Sequence, residues 1–259
     1  MNYGLYLSAS GVLTNAYRQD VYANNLANVN TVAFKPDLPS LSPRPAEAVE
    51  DLTPLGTSSD LLDRLGGGVL AGPQTTRHGV AAIEQTGRDL DLALPEANQF
   101  LAVQDIDPTT GAAEVKLTRD GRLGVSGDGW LVTTTGHRVL DAADQPIAVA
   151  PNTAVIVTAS GVVQQDGNAV AQLQVAAVAD PATLQKQGAN LFSMAGRDPR
   201  SPVAEPVVRV GALEASGTDA IKTMMNIMAS SKAAQANAKL IQYHDTMTDH
   251  AVNTLGRVG

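Results

Sequence analysis

The sequence predicts an α+β chain. Helices at its two ends pair into a coiled-coil-like core domain, and a central, mainly antiparallel β domain lies between them. Three observations carry this expectation. Residues 3–28 and 218–256 repeat apolar or small positions at helical spacing. Short Val-, Thr- and Leu-rich runs separated by Asp-Gly pairs fill 76–215. Pro36, Pro39, Pro43, Pro45 and Pro54 break up the stretch between the first helix and those runs. The resulting division is a helical core domain from 1–35 and 216–259, a linker or irregular subdomain over 36–75, and a β domain over 76–215.

In the first helix Leu5, Ala9, Val12, Ala16, Ala23 and Leu26 recur at steps of three, four or seven, which marks one face. Gly11 weakens the helix by about 1 kcal/mol relative to Ala. Asn24, Asn25, Asn28 and Asn30 fray its end, and Pro36 forbids continuation. The pattern alone also fits an amphipathic helix packed on its own domain. A short helix is expected over 58–65, capped by Ser58 or Ser59. The triple glycine 66–68 lacks the Gly-Lys-Ser/Thr ending of a phosphate loop and does not follow a clear strand, so nucleotide binding is not expected there.

Strands are expected at 90–94, 100–106, 114–118, 130–134, 154–158, 173–178 and 207–211. Asp120-Gly121, Asp128-Gly129 and Asp166-Gly167 supply the turns, because both residue types tolerate positive φ. Short strands with such turns suggest a sandwich or a small barrel. In the second helix Ala220, Met224, Ile227, Ser231, Ala234, Ala238, Ile241, Asp245, Thr248, Val252 and Leu255 form a heptad seam. Ala, Ser and Met dominate it. Such a seam allows close approach but buries little area, so the helix needs neighbours. Thr218 and Asp219 provide the N-cap. The two helices are expected side by side and antiparallel, with Leu5, Ala9, Val12 and Ala16 facing Ile227, Ala234, Ala238 and Ile241.

Composition removes several classes. The chain has 259 residues and a formal net charge of -8, with no cluster of Lys or Arg, which opposes nucleic-acid binding. Cysteine is absent, so there is no disulfide framework, thiol nucleophile or thiolate metal site. Residues 1–20 lack the pattern of a cleaved signal peptide. No apolar run approaches the roughly 20 residues of a membrane span, so no membrane insertion is expected. At 3% aromatic residues the core must be built from Val, Ala and Leu.

Chemistry is equally sparse. His244, Asp245, Asp249 and His250 form the densest cluster of metal-ligating residue types, but only the two Asp share a helical face. A solvated polar face accounts for them. His78 and His137 fall in loops without a nucleophile signature, and Asp105 and Asp107 read as turn carboxylates. Trp130 reads as a strand residue of the core. No general base, nucleophile and orienting group assemble, so no catalytic residue, cofactor or metal is expected.

The stretch Ala23-Asn24-Asn25-Leu26-Ala27-Asn28-Val29-Asn30-Thr31 followed by Phe34-Lys35 closely resembles the signature of bacterial flagellar rod and hook proteins. Gln85-Thr86-Gly87 with 90–94, Leu117-Thr118-Arg119-Asp120-Gly121, and Asp128-Gly129-Trp130-Leu131-Val132 agree in the family's order. So do Gly211-Ala212-Leu213-Glu214-Ala215-Ser216 and Asn237-Ala238-Lys239. Ala33 stands where this family commonly has Gly. The length and the ending Ala251-Val252-Asn253-Thr254-Leu255-Gly256-Arg257 most resemble proximal rod members, with distal rod members second.

The resemblance implies a non-enzymatic rod subunit that polymerises through its terminal helices into an axial shaft crossing the periplasm. It implies rod subunits and adjacent axial proteins as partners. It also implies passage unfolded through the flagellar type III export apparatus without a cleaved signal. The implied assembly interface comprises Leu5, Ala9, Val12, Ala16, Asn24, Asn25, Leu26 and Asn28 with Met224, Ile227, Ala234, Ala238 and Ile241. The alternatives are a distal rod or hook-type axial subunit, a periplasmic glycan-binding β module, or a hydrolase using Asp105 and Asp107. A glycan binder needs exposed aromatics for stacking. The chain has one Trp and five Tyr, and Tyr3, Tyr6, Tyr17 and Tyr22 fall in the first helix.

Overall fold

Helical periodicity at both ends produces two long helices, α1 (Tyr3–Ala27) and α2 (Ala220–His250). A π-helical turn, Ala251–Leu255, follows α2. The structure is a computed structural model that describes residues 3–45, 66–106, 111–150, 153–194 and 200–255. The helix expected over 58–65 and Asp107 lie outside these residues. The chain divides into a helical unit from 1–27, 37–75 and 219–259 and a β unit from 28–36 and 76–218.

The start of α2 is fixed by Asp219, whose carboxylate accepts the backbone N–H of Lys222 at 3.0 Å. An acceptor there satisfies one of the donors that a helix N-terminus leaves open. The proline-rich stretch contributes four short strands, β1 (Asp37–Leu38), β2 (Leu41–Pro43), β3 (Val69–Ala71) and β4 (Thr75–Thr76). β1 pairs with β4, and β2 pairs antiparallel with β3. One flank of α1 holds this ribbon. Ser10 and Thr14 donate to the Val69 carbonyl at 2.6 and 3.2 Å, and Tyr17 donates to the Gly72 carbonyl at 3.0 Å.

In the β unit, β5 (Ile83–Gln85) and β6 (Leu92–Ala93) precede the long strand β7 (Gln99–Ile106) and its partner β8 (Ala113–Thr118). Then come β9 (Leu123–Val125), β10 (Leu131–Thr133) and β11 (Arg138–Val139). A separate three-stranded sheet follows from β12 (Val155–Val157), β13 (Val162–Gln165) and β14 (Asn168–Gln172). The chain returns to the main sheet with β15 (Val175–Val178), β16 (Leu184–Lys186), β17 (Leu191–Met194) and β18 (Arg200–Pro202). It closes with β19 (Arg209–Val210) on β6 and β20 (Ala212–Glu214) on β5. The main sheet runs β16-β17-β8-β7-β11-β10-β9, and β15 joins β7 to β18.

β7 is central because both of its faces are apolar. Leu101 and Val103 enter one core with Leu131, Val139, Val163 and Leu173. Phe100 and Ala102 enter another with Leu117, Leu140, Val178 and Phe192. Successive residues of a strand point to opposite faces, so a continuous apolar run is what a doubly covered strand requires. Asp166 and Gly167 both take positive φ in the β13–β14 turn, as their residue types predict. Asp120-Gly121 acts differently. A Cβ on Gly121 would collide with the Leu92 carbonyl, so this glycine permits a close approach of two backbones.

Candidate assembly interface

The helices α1 and α2 pack along each other more extensively than any other two elements. A Cβ built on Gly4 would lie 2.8 Å from Nε2 of His244, and one on Gly11 would overlap the amide of Asn237. Seven residues forward on α1 therefore match seven back on α2, and the helices run antiparallel. The same step brings Arg18 level with Ser230 and Asn25 level with Thr223.

The seam on α1 is Gly4, Ser8, Gly11 and Asn15, one residue away from the apolar face predicted above. One residue is 100° of rotation. Leu5 and Ala16 are accordingly exposed, while Ala9 and Val12 are half-buried. On α2, Ile227, Ala234, Ala238 and Ile241 are half-buried, but Met224 is exposed and Thr223 and Ser230 are the buried positions. The expected facing of Leu5, Ala9, Val12 and Ala16 onto α2 is thus corrected by rotation. Small residues allow a closer approach than the apolar ones, and glycine allows the closest. Three polar seam residues bond within their own helices. Ser8 donates to Gly4, Asn15 to Gly11 and Ser230 to Asn226, each one turn back on its own helix at 2.7–2.9 Å.

The large apolar side chains point outward. Ile221, Met224, Met225 and Met228 lie on the side of α2 opposite Ser230, and Ile221 is 74% exposed. Lys232 and Lys239 continue this stripe without an acidic residue. On α1 the outward residues Tyr6, Leu13 and Asp20 stand seven apart, with Leu13 71% exposed.

The asparagine-rich motif is used residue by residue. Asn25 is buried and brackets the Asp37 backbone, donating to its carbonyl at 2.7 Å and accepting its N–H at 2.9 Å. Asn24 is exposed, and Leu26 and Asn28 are half-buried. The Asn28 side chain accepts Thr31 Oγ1 at 3.1 Å, and its carbonyl accepts Ser216 Oγ at 2.9 Å. Lys35 ends the motif inside the β unit, where Nζ meets Glu214 Oε1 at 2.6 Å and the Gly79 carbonyl at 2.7 Å.

On the other side of that carboxylate, Arg119 Nε meets Oε2 at 2.8 Å. The same guanidinium donates to the carbonyls of Leu94, Glu96 and Gln99 at 2.6–2.9 Å. All three charged side chains are at most 1% exposed. Burial and the neighbouring Arg119 cation hold the Lys35 ammonium below the ordinary lysine range. No sequence period links positions so far apart, and this cluster was not foreseen. The hint lies in Lys35 and Glu214, single charges that follow apolar residues in their motif stretches.

Elsewhere polar groups serve structure. Asp105 lies 3.2 Å from His137 Nδ1, and the Arg138 guanidinium lies 4.9 Å from the Trp130 ring centre. Among the described residues no three His, Cys, Asp or Glu gather as a metal site requires. No described helix is long and apolar enough to cross a membrane.

Two paired long helices and an antiparallel β unit make this an α+β protein. Comparison with known proteins is specific at both ends. Residues 5–35 match the family described as flagella basal body rod protein, and residues 209–254 match the flagellar basal body rod FlgEFG protein C-terminal family. The chain is 28% identical to the flagellar basal-body rod protein FlgF of Caulobacter vibrioides, with both chains covered in full. It is 28% identical to the rod protein FlgG of Bacillus subtilis over 96% of this chain and 97% of that one. It is 29% identical to FlgF of Escherichia coli over 95% of each. At both ends and along its length the chain is similar to flagellar basal-body rod proteins.

Proposed function

We propose that this protein is a structural subunit of the flagellar rod, in its proximal part, polymerising through the outer faces of its helix pair into the torque-transmitting shaft. The observation that carries the reading is the apolar stripe of Ile221, Met224, Met225 and Met228, turned away from α1 on a helix already paired. Contiguous exposed apolar surface of this kind marks an interaction site. The α1 stripe of Tyr6, Leu13 and Asp20 offers apolar area and an acid to the Lys232 and Lys239 side of a neighbour's α2. Contact between two different faces propagates head to tail, and gives an open helical array where the rotation does not close.

Leu5, Ala9, Val12, Ala16, Asn24 and Met224 belong to this proposed intersubunit surface. Ile227, Ala234, Ala238 and Ile241 shape it through the pair, and Asn25, Leu26 and Asn28 set the exit of α1. A polymer of this kind works without catalysis, across the periplasm, after export through the type III apparatus. Its partners are other rod subunits and adjacent axial proteins.

The test is a motility assay on cells carrying Met225→Glu or Asp105→Asn, with secretion of the subunit measured alongside and basal bodies viewed by electron microscopy. Met225→Glu leaves the helix pair intact but buries an unpartnered charge at each contact, a cost of several kcal/mol, repeated along the polymer. Secreted Met225→Glu protein without rods, beside motile Asp105→Asn cells, is the expected pattern. Motile Met225→Glu cells overturn the interface. Loss of motility in Asp105→Asn alone favours a hydrolase, and capture of a glycan by the β unit favours the binding module.

A further inference from the structure

The cluster of Lys35, Arg119 and Glu214 has an unusual charge balance, with two buried cations sharing one carboxylate. Glu214 lies 179 residues after Lys35 and 95 after Arg119. Before β20 docks, neither cation has its anion. Arg119 cannot then be buried against the carbonyls of Leu94, Glu96 and Gln99 without leaving an uncompensated charge. Those three carbonyls shape the chain between β6 and β7, and β7 is the strand that both cores share. Glu214 also accepts the Ala81 N–H at 2.8 Å, and its own carbonyl accepts the Ala33 N–H at 2.8 Å. One residue therefore joins the segment after α1, the segment before β5 and the β8–β9 turn.

We propose that Glu214 is a closure checkpoint: the β unit completes its fold only when the segment carrying this carboxylate has arrived to neutralise Lys35 and Arg119. An incomplete chain stays open, because its most deeply buried charges repel each other and prefer water. This inference stands independently of the assembly role and concerns folding order alone.

The charge count supplies a discriminating test. Removing the anion leaves two cations, whereas removing Lys35 leaves a balanced pair. Full-length protein is refolded by rapid dilution from urea and followed by Trp130, the single tryptophan, which lies in the β unit. Glu214→Gln is expected to slow refolding by about tenfold or more. Lys35→Met alone is expected to refold within about threefold of the parent. A triple variant that adds Lys35→Met and Arg119→Met to Glu214→Gln carries no charge at the cluster and is expected to recover most of the lost rate. If Glu214→Gln refolds at the parental rate and only unfolds faster, the cluster forms after closure and the checkpoint is wrong. If Glu214→Gln does not fold at all, the triple variant decides: folding once both cations are also removed supports the checkpoint, and continued failure to fold overturns it.

Discussion

At the scale of single residues, the short motifs prove to be packing instructions. In Leu117-Thr118-Arg119-Asp120-Gly121, Leu117 enters a core and Thr118 donates to the Asn190 carbonyl at 3.0 Å. Arg119 is buried on Glu214, and Asp120 holds Arg122 through two hydrogen bonds of 2.9 and 2.5 Å. Gly121 meets a carbonyl rather than a turn. Gly121→Ala must push that backbone aside, and a loss of about 3 kcal/mol or more is expected in urea denaturation. Ala33 gives the opposite forecast. It is buried at φ 55°, a left-handed conformation that a Cβ disfavours. Ala33→Gly is expected to stabilise the protein by about 1 kcal/mol in the same measurement; no gain would mean the glycine's extra freedom in the unfolded chain cancels the relief. The Asp-Gly turn at 166–167 was legible because its chemistry is local. The roles of Gly121 and Glu214 were not, since each depends on a partner distant in sequence.

At the scale of elements, both helices were legible from periodicity, and so was their antiparallel pairing. The contact face of α1 was not. Apolar periodicity identifies the stripe with most to gain from burial, and here that stripe is turned about 100° from the seam, with Leu5 and Ala16 exposed and Ala9 and Val12 half-buried. The contact inside the chain runs instead through glycine, serine and asparagine, which a hydrophobic pattern scores as blank. Ala234 lies on the inner side of α2 and Met225 on the outer. Ala234→Glu is therefore expected to unpair the helices, with lower helical circular dichroism and faster proteolysis of both termini, while Trp130 fluorescence stays unchanged. Met225→Glu is expected to leave all three signals at parental values in the isolated subunit. Equal effects from the two variants would contradict the assignment of faces. The β strands were legible where apolar runs are long, as in β7. They were missed where two or three residues pair only because a neighbour holds them, as in β1 and β20.

At the scale of the whole molecule, the two units differ in what stabilises them. The β unit contains both apolar cores. The helix seam is small and polar and returns little hydrophobic free energy against the entropy of ordering two long helices. In a dilute monomer, amides of residues 3–27 and 220–250 are expected to exchange with solvent far faster than those of β7, β8 and β15. Hydrogen exchange read by mass spectrometry measures this, and equal protection of both units in a proven monomer would contradict it. Assembly would then raise helix protection most, because the outer stripes become covered.

The back-bonded seam has a mechanical corollary. Ser8, Asn15 and Ser230 bond within their own helices, so the lengthwise position of α1 on α2 is held by shape, with Gly4 and Gly11 as notches and His244 and Asn237 as teeth. A slide of one heptad, about 10 Å along the axis, would set Gly4 on Asn237 but leave Gly11 against the shorter Ser230. The pair behaves as a two-toothed rack whose best setting engages both teeth, and added salt has no charge pair there to loosen.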